Sequence, residues 1–217
     1  MLVGERMTKP VITVRPETPM PDALDLMRKE HIRRLPVVDK HGELVGIVSQ
    51  GDLLKASPSQ ATSLIIHEIT YLLSKLPVEQ IMTRSVITGS EEMPLEEAAR
   101  IMADNEIGGL PVLRGKELVG ILTETTLFRI FLELLGARQA GIRITATVPD
   151  RPGELAGLTK AIYELGGNIV SLGTFTGETP TKGLFTLKVE GVEEQQLRKA
   201  IEPFVEKIID MRVTQAA

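Results

Sequence analysis

Ser49 and Asp52 stand three residues apart where a β-rich run, Leu44 to Ser49, meets a helix beginning near Asp52. A hydroxyl and a carboxylate at such a junction can hydrogen-bond a polar ligand, or simply cap the helix, a place both residue types favour. Arg33 and Arg34 add two cations upstream, suited to anions and equally to a solvated or dimer-facing surface. No catalytic set accompanies them. The three histidines, His31, His41 and His67, are scattered, and His67-Glu68 lacks the second histidine of a helical zinc motif. His41 reads as a turn residue, His67 as an exposed helix position, and His31 as a surface or cleft residue. There is no Gly-x-Ser-x-Gly elbow and no phosphate-loop Gly-Lys-Ser/Thr. Glu91-Glu92 and Glu96-Glu97 fall at a helix N-terminus, where the macrodipole favours acids without any chemistry.

The elements that position these residues occur twice. Met7-Thr8, Val11-Ile12-Thr13, Ala23, Met27, Ile32 and Leu35-Pro36-Val37 reappear as Met82-Thr83, Val86-Ile87-Thr88, Ala98, Met102, Ile107 and Leu110-Pro111-Val112, a shift of 75 residues. After a one-residue deletion, Glu43-Leu44-Val45-Gly46-Ile47 matches Glu117-Leu118-Val119-Gly120-Ile121. Two copies argue for a paired module with a cleft between its halves, not a solenoid, which needs three or more repeats. Each copy reads β-α-β-β-α: strands at Val11–Val14 and Val86–Thr88, helices from Met20 and Leu95, then hairpins turning at Lys40-His41-Gly42 and Arg114-Gly115-Lys116, then helices from Asp52 and Thr126. Between the copies, Ser57-Pro58-Ser59 reads as a loop. Thr62 or Ser63 caps a linking helix whose stripe runs Leu64, Ile65, Ile69, Leu72, Leu73, Leu76.

Leu127 to Leu135 continues as an apolar helix with Gly136 as its C-cap, and the pattern then changes. Strands at Ile142–Val148, Ile169–Thr176, Leu184–Val189 and Lys207–Val213, with helices after Gly153 and from Val192, give the β-α-β-β-α-β order of a ferredoxin-like split motif. The fold class is therefore α+β. Residues 1–61 form the first repeat, 62–135 the linking helix and second repeat, 136–141 a linker, and 142–217 a separate domain.

Composition narrows the partners. Apolar residues make up 42% and aromatics 3%, so Val, Ile, Leu and Met must fill the core. A net charge of -4 argues against a non-specific nucleic-acid or membrane-surface binder. Cysteine is absent, which removes disulfides, thiolate metal sites and thiol nucleophiles. No apolar run approaches the ~18 residues of a membrane span and no signal-peptide layout opens the chain. The expectation is a soluble, cytoplasmic protein without a metal.

The repeats resemble the cystathionine-β-synthase (CBS) domain in its tandem, Bateman arrangement. The carriers are the paired Met-Thr motifs, Ile32-Arg-Arg-Leu-Pro-Val-Val38, Gly46-Ile-Val-Ser-Gln-Gly-Asp52, Ile107-Gly-Gly-Leu-Pro-Val112 and Gly120-Ile-Leu-Thr-Glu-Thr-Thr126. The resemblance implies a regulatory module binding an adenosine compound, with AMP, ADP, ATP, NAD and S-adenosylmethionine all open. Transferred to this chain, it implies a site in which Asp52 accepts the ribose hydroxyls and Ser49 donates to phosphate. Ile32, Leu35 and Pro36 surround adenine, Thr13 adds a hydroxyl, and Arg33 and Arg34 reach phosphates. The second repeat offers Thr88, Ile107, Gly108, Leu110, Pro111, Thr123 and Thr126. There Thr126 replaces Asp52 and Gly108-Gly109 replace the arginines, so the first repeat carries the better-equipped site.

Residues 142–213 are similar to the ACT domain, a small-molecule sensor, through Val148-Pro-Asp-Arg-Pro-Gly-Glu-Leu155 and Gly166-Gly-Asn-Ile169. That similarity implies an amino-acid site between paired copies, formed by Asp150, Arg151, Gly153, Leu155, Asn168 and Ile169. Val148 offers no polar group, so a turn built for folding and dimerisation alone stands beside it. Two CBS repeats followed by an ACT domain resemble the bacterial acetoin-utilisation protein B family. The implied role is a homodimeric or larger metabolite sensor acting on a partner enzyme. The alternative is a structural, oligomerising protein with vestigial clefts.

Overall fold

The computed structural model describes residues 1–56, 76–149, 151–176 and 182–216. Its contacts divide the chain into two units, Met1–Leu127 and Phe128–Ala217. The first contains both repeats. Helices α2 (Met20–Lys29) and α4 (Leu95–Asp104) bury Met20, Ala23, Met27 and Leu95, Ala98, Met102. The identical i, i+3, i+7 spacing is one face of a 3.6-residue helix. Each helix then feeds an antiparallel hairpin: β1 (Arg34–Val38) with β2 (Leu44–Ser49), and β4 (Gly109–Arg114) with β5 (Glu117–Thr123). Arg34 pairs with Ser49 and Gly109 with Thr123, and both ladders shift register at the same point, after Val37 and after Val112. Helices α3 (Gln50–Ala56) and α5 (Glu124–Leu134) leave the hairpins. The expected linking helix and its Ser57-Pro58-Ser59 loop lie outside the described residues, Leu76 excepted.

The opening strand of each repeat is shorter and later than its residues suggest. Only Val14 bridges to Val37, and in the second repeat the strand is β3 (Gly89–Ser90), paired with Val112 and Leu113. Val11–Thr13 and Val86–Thr88 are lead-in segments instead, because their upstream neighbours bond elsewhere. Thr8 exchanges both backbone hydrogen bonds with Ile121, at 2.9 and 3.1 Å, and Thr83 does the same with Ile47, at 2.9 and 3.0 Å. Each repeat's Met-Thr motif thus edges the other repeat's sheet. Met7 packs on Gly120 and Met82 on Gly46, so closely that a Cβ on Gly120 would lie 2.7 Å from Met7 Cγ. The start of the chain, helix α1 (Val3–Arg6), follows the same rule: Val3 and Gly4 donate to the carbonyls of Met93 and Glu91. Reciprocally, Val78 and Met82 are buried with Met20, Leu35 and Leu53 in the first repeat's core. The repeats are interlocked by exchanged lead-ins.

His31 and Glu106 are the two non-glycine residues with positive φ among those described, both at +53°. They stand at equivalent positions just beyond α2 and α4. His31 N–H donates to Arg28 O, and Ile32 N–H to Met27 O, the two bonds that close a helix through a left-handed residue. That geometry explains His31 without any ligand.

The second unit holds the four-stranded antiparallel sheet β7-β8-β6-β9, with β6 (Gly141–Pro149), β7 (Asn168–Thr176), β8 (Lys182–Glu190) and β9 (Lys207–Thr214). Helices α6 (Glu154–Glu164) and α7 (Glu194–Ile201) pack Leu158, Ile162, Leu197 and Ile201 onto Ile144, Phe185 and Leu187. This is the expected ferredoxin-like arrangement. Lys188 is 4% exposed on the opposite sheet face. Its ammonium donates to the carbonyls of Gly136 and Gln139 at 2.7 and 2.8 Å, tying the stretch read as a linker to the sheet. Such bonds are required, since an unsatisfied buried ammonium is costly.

Candidate functional site

Ser49 and Asp52 satisfy each other. Ser49 N–H and Oγ–H donate to Asp52 Oδ2 at 2.8 and 2.6 Å, and Asp52 N–H donates to Ser49 Oγ at 3.2 Å. This is a reciprocal capping box, with Ser49 as the cap of α3 and the carboxylate three residues on. All three bonds use Oδ2 or the serine oxygen, which leaves Oδ1 without a hydrogen bond among the described residues. The second repeat keeps half the box: Thr126 N–H donates to Thr123 Oγ1 at 3.3 Å, with the two hydroxyls 3.1 Å apart.

Directly opposed residues of an antiparallel pair project from the same face, so the Arg34↔Ser49 register sets the Arg34 side chain beside Ser49. From there it crosses to the other repeat. A Cβ on Gly108 would overlap Arg34 Nη2 and lie 2.5 Å from its Cζ, and one on Gly109 would lie 2.9 Å from Arg34 Cδ. The two glycines are the seat of the arginine. Its charge faces Glu124, with Nη2 3.6 Å from Oε2; the Arg34 side chain is 28% exposed and that of Glu124 61%. The departure Arg33-Arg34 to Gly108-Gly109 is therefore complementary: one cation suffices where the repeats meet, and the second copy must be hollow to receive it. Glu124 was not among the residues singled out from sequence. Its signal was present, because Glu124 occupies the position of Gln50 in the very repeat that loses the arginines.

The other candidates divide. Ile32 packs partly buried against the first core, Leu35 is fully buried, and Pro36 is buried on β1. Arg33 is exposed and Ile107 half-buried, while Leu110 and Pro111 are buried. Thr13 lines a cavity with Val38 and Gly42, at the hairpin end of the sheet. Thr88, its counterpart, precedes Gly89 of β3.

In the second unit, Asp150 lies outside the described residues. Gly153 has φ +95° at the cap of α6, with open space where a Cβ would stand, so backbone conformation is what requires glycine there. Pro152 precedes α6, which begins at Glu154. Arg151 pairs with Glu154 at 2.9 Å, and Asn168 Nδ2 donates to Glu190 Oε1 at 2.7 Å. Leu155 and Ile169 pack against the core. Among the described residues no group of histidine and carboxylate side chains could hold a metal, and no helix is long and apolar enough to cross a membrane.

Comparison with known proteins bears on both units. The CBS domain model matches residues 3–59 and 78–133, and a TTHA0829-like ACT domain model matches 140–212. The CBS pair of protein MJ0100, solved with 5′-methylthioadenosine and S-adenosylmethionine, is 34% identical over 60% of this chain and 95% of its own (TM-score 0.51). CBSX2 in complex with AMP is 34% identical over 60% of this chain and 96% of its own (TM-score 0.50). A Vibrio cholerae protein assigned to acetoin utilization, AcuB, is 33% identical over 63% of this chain and 93% of its own (TM-score 0.53). An L-aspartate semialdehyde sulfurtransferase of Methanocaldococcus jannaschii is 34% identical over 131 residues, but this chain spans 60% of its own length there and 23% of that enzyme.

Proposed function

Because the chain belongs to the CBS-domain family and continues into a TTHA0829-like ACT domain, we propose that it is a regulatory ligand sensor and not an enzyme. Its CBS pair binds an adenosine-containing nucleotide in the cleft where Arg34 crosses between the repeats. One observation carries this reading: Arg34, Ser49 and Asp52 converge there, with a carboxylate oxygen of Asp52 unbonded. Asp52 Oδ1 is an acceptor for ribose hydroxyls. Arg34 supplies the cation for phosphate, and Glu124 holds it in place when no anion is bound. Relatives solved with AMP and with S-adenosylmethionine support the ligand class, and Arg34 favours the phosphorylated member.

Calorimetry on the full chain tests it, with AMP, ADP, ATP, NAD and S-adenosylmethionine, and with uncharged 5′-methylthioadenosine as the control. Folded protein that binds none of them refutes the reading. Asp52→Asn should weaken the bound ligand by ~1–3 kcal/mol, as for a lost charged hydrogen bond. The competing reading, a structural protein with vestigial clefts, draws on the capping box that already occupies Ser49 and Asp52. Its signature is an Asp52→Asn variant that loses stability and keeps its affinity.

The ACT domain, in the same reading, pairs with a second copy, takes an amino acid at the Gly153 turn, and passes ligand occupancy to a partner enzyme in the cytoplasm. Sedimentation of the full chain with and without amino acids tests the pairing, and a monomer under both conditions refutes it.

A further inference from the structure

We propose that the CBS pair carries a second ligand site, at the hairpin end of its sheets, that binds a zwitterionic α-amino acid with an apolar side chain. The site is independent of the adenosine reading and of the ACT domain. A cavity of about 470 Å³ opens there, with Val38 and Gly42 in its wall, within the ~300–1,000 Å³ usual for small-molecule pockets. Arg34 stands at the other end of β1, four residue steps and roughly 13 Å away.

The charges around this cavity are distinctive. Arg114 and Glu91 form a two-pronged pair, at 2.7 and 3.0 Å, and so neutralise each other. Lys9 and Glu117 also line the cavity. Each lies in the field of that pair, Lys9 near Glu91 and Glu117 near Arg114. Neither side chain makes a hydrogen bond or ion pair among the described residues. One free cation and one free anion therefore flank a cavity.

The other repeat supplies an internal control. The counterparts of Lys9, Arg114 and Glu117 are Arg84, Asp39 and Glu43, and every one is engaged. Arg84 donates to the carbonyl of Glu79 at 3.0 Å. Asp39 Oδ1 accepts from the N–H groups of His41 and Glu43, both at 2.9 Å. Glu43 pairs with Lys116 at 3.0 Å. Free charges at these positions are thus a property of one face and not of the repeat.

An anion entering the first face would meet Glu91 and Glu117, and a cation would meet Lys9 and Arg114. A ligand with a carboxylate for Lys9 and an ammonium for Glu117 satisfies both. The Thr13 hydroxyl adds a polar contact, while Val11, Leu118 and Val119 give an apolar wall for an aliphatic side chain.

Calorimetry on the full chain with L-leucine and L-methionine tests the proposal, with leucinamide and N-acetyl-L-leucine as analogues lacking one charge. At least one amino acid should bind, and neither analogue. Lys9→Met and Glu117→Gln should each weaken binding about tenfold or more, as charged hydrogen bonds do, and Arg84→Met should leave it unchanged. Absence of binding by both amino acids overturns the proposal, as do wild-type affinity in both variants or an equal loss in Arg84→Met. Should a variant misfold, methyl NMR of the unmodified chain decides: leucine must shift Val11, Thr13 and Val119, and shifts confined to the ACT domain overturn the site.

Discussion

Gly108→Ala separates the seat of Arg34 from the stability of the fold. A methyl group there overlaps Arg34 Nη2 and Glu124 Oε2 and comes within 2.5 Å of Arg34 Cζ, so the guanidinium must leave. It is the far end of a flexible side chain, and leaving is cheap. The ion pair given up is long, at 3.6 Å, and one partner is 61% exposed, which limits its worth to about 0–1 kcal/mol. Replacing glycine where its φ is not in the left-handed region returns about 0.4–1 kcal/mol through the unfolded chain. Net stability in urea should therefore change by less than ~1 kcal/mol. Affinity should behave differently. If Arg34 holds the phosphate, AMP binding falls by about 1.5–3 kcal/mol, while 5′-methylthioadenosine binds as before. Calorimetry and urea melts on the same preparation check both. Unchanged AMP affinity refutes Arg34 as the phosphate group, and a stability loss well above 1 kcal/mol refutes a freely displaced arginine.

Three further outcomes follow from other parts of the fold. Gly120→Ala drives a methyl into Met7, which is 7% exposed and cannot withdraw, so it should destabilise by about 1–3 kcal/mol; a urea midpoint equal to wild type would contradict the exchanged lead-ins. His31→Gly relieves a side chain at φ +53° and should stabilise by roughly 0.5–1 kcal/mol, read as a higher melting temperature with ligand binding unaltered. Arg114 hydrogen bonds hold the Glu91 carboxyl below the ordinary carboxylate range. A lowered folded-state pKa adds stability that is complete above the unfolded value and fades as pH falls through the folded one. The stability gap between wild type and Arg114→Met should accordingly be open at neutral pH and close in acid; a gap constant across the acid range would exclude this linkage.

Much of the architecture was written locally. Met20, Ala23 and Met27, with Leu95, Ala98 and Met102, announce two helices because side-chain spacing depends on one chain segment alone. Alternation from Ile142 to Val148 announces β6 for the same reason. The opening strands misled because Val11–Thr13 and Val86–Thr88 have strand composition but spend their approach along the other repeat, leaving single-residue or two-residue pairings. β-rich composition reports a half-buried surface, not which partner covers it.

The site divided along the same line. By itself the sequence determined that Ser49 and Asp52 meet at a strand–helix junction and that the second repeat lacks that carboxylate. Only the tertiary structure decided that the two glycines are where Arg34 lies, that Glu124 faces it, and that Thr13 shares a cavity with Arg114 and Glu117 of the other repeat. Residue type and spacing fix hydrogen-bonding capacity and local conformation. Which groups share a cleft depends on the exchange of lead-ins between the repeats, and that is a contact between segments far apart in the chain, Thr8 with Ile121 and Thr83 with Ile47.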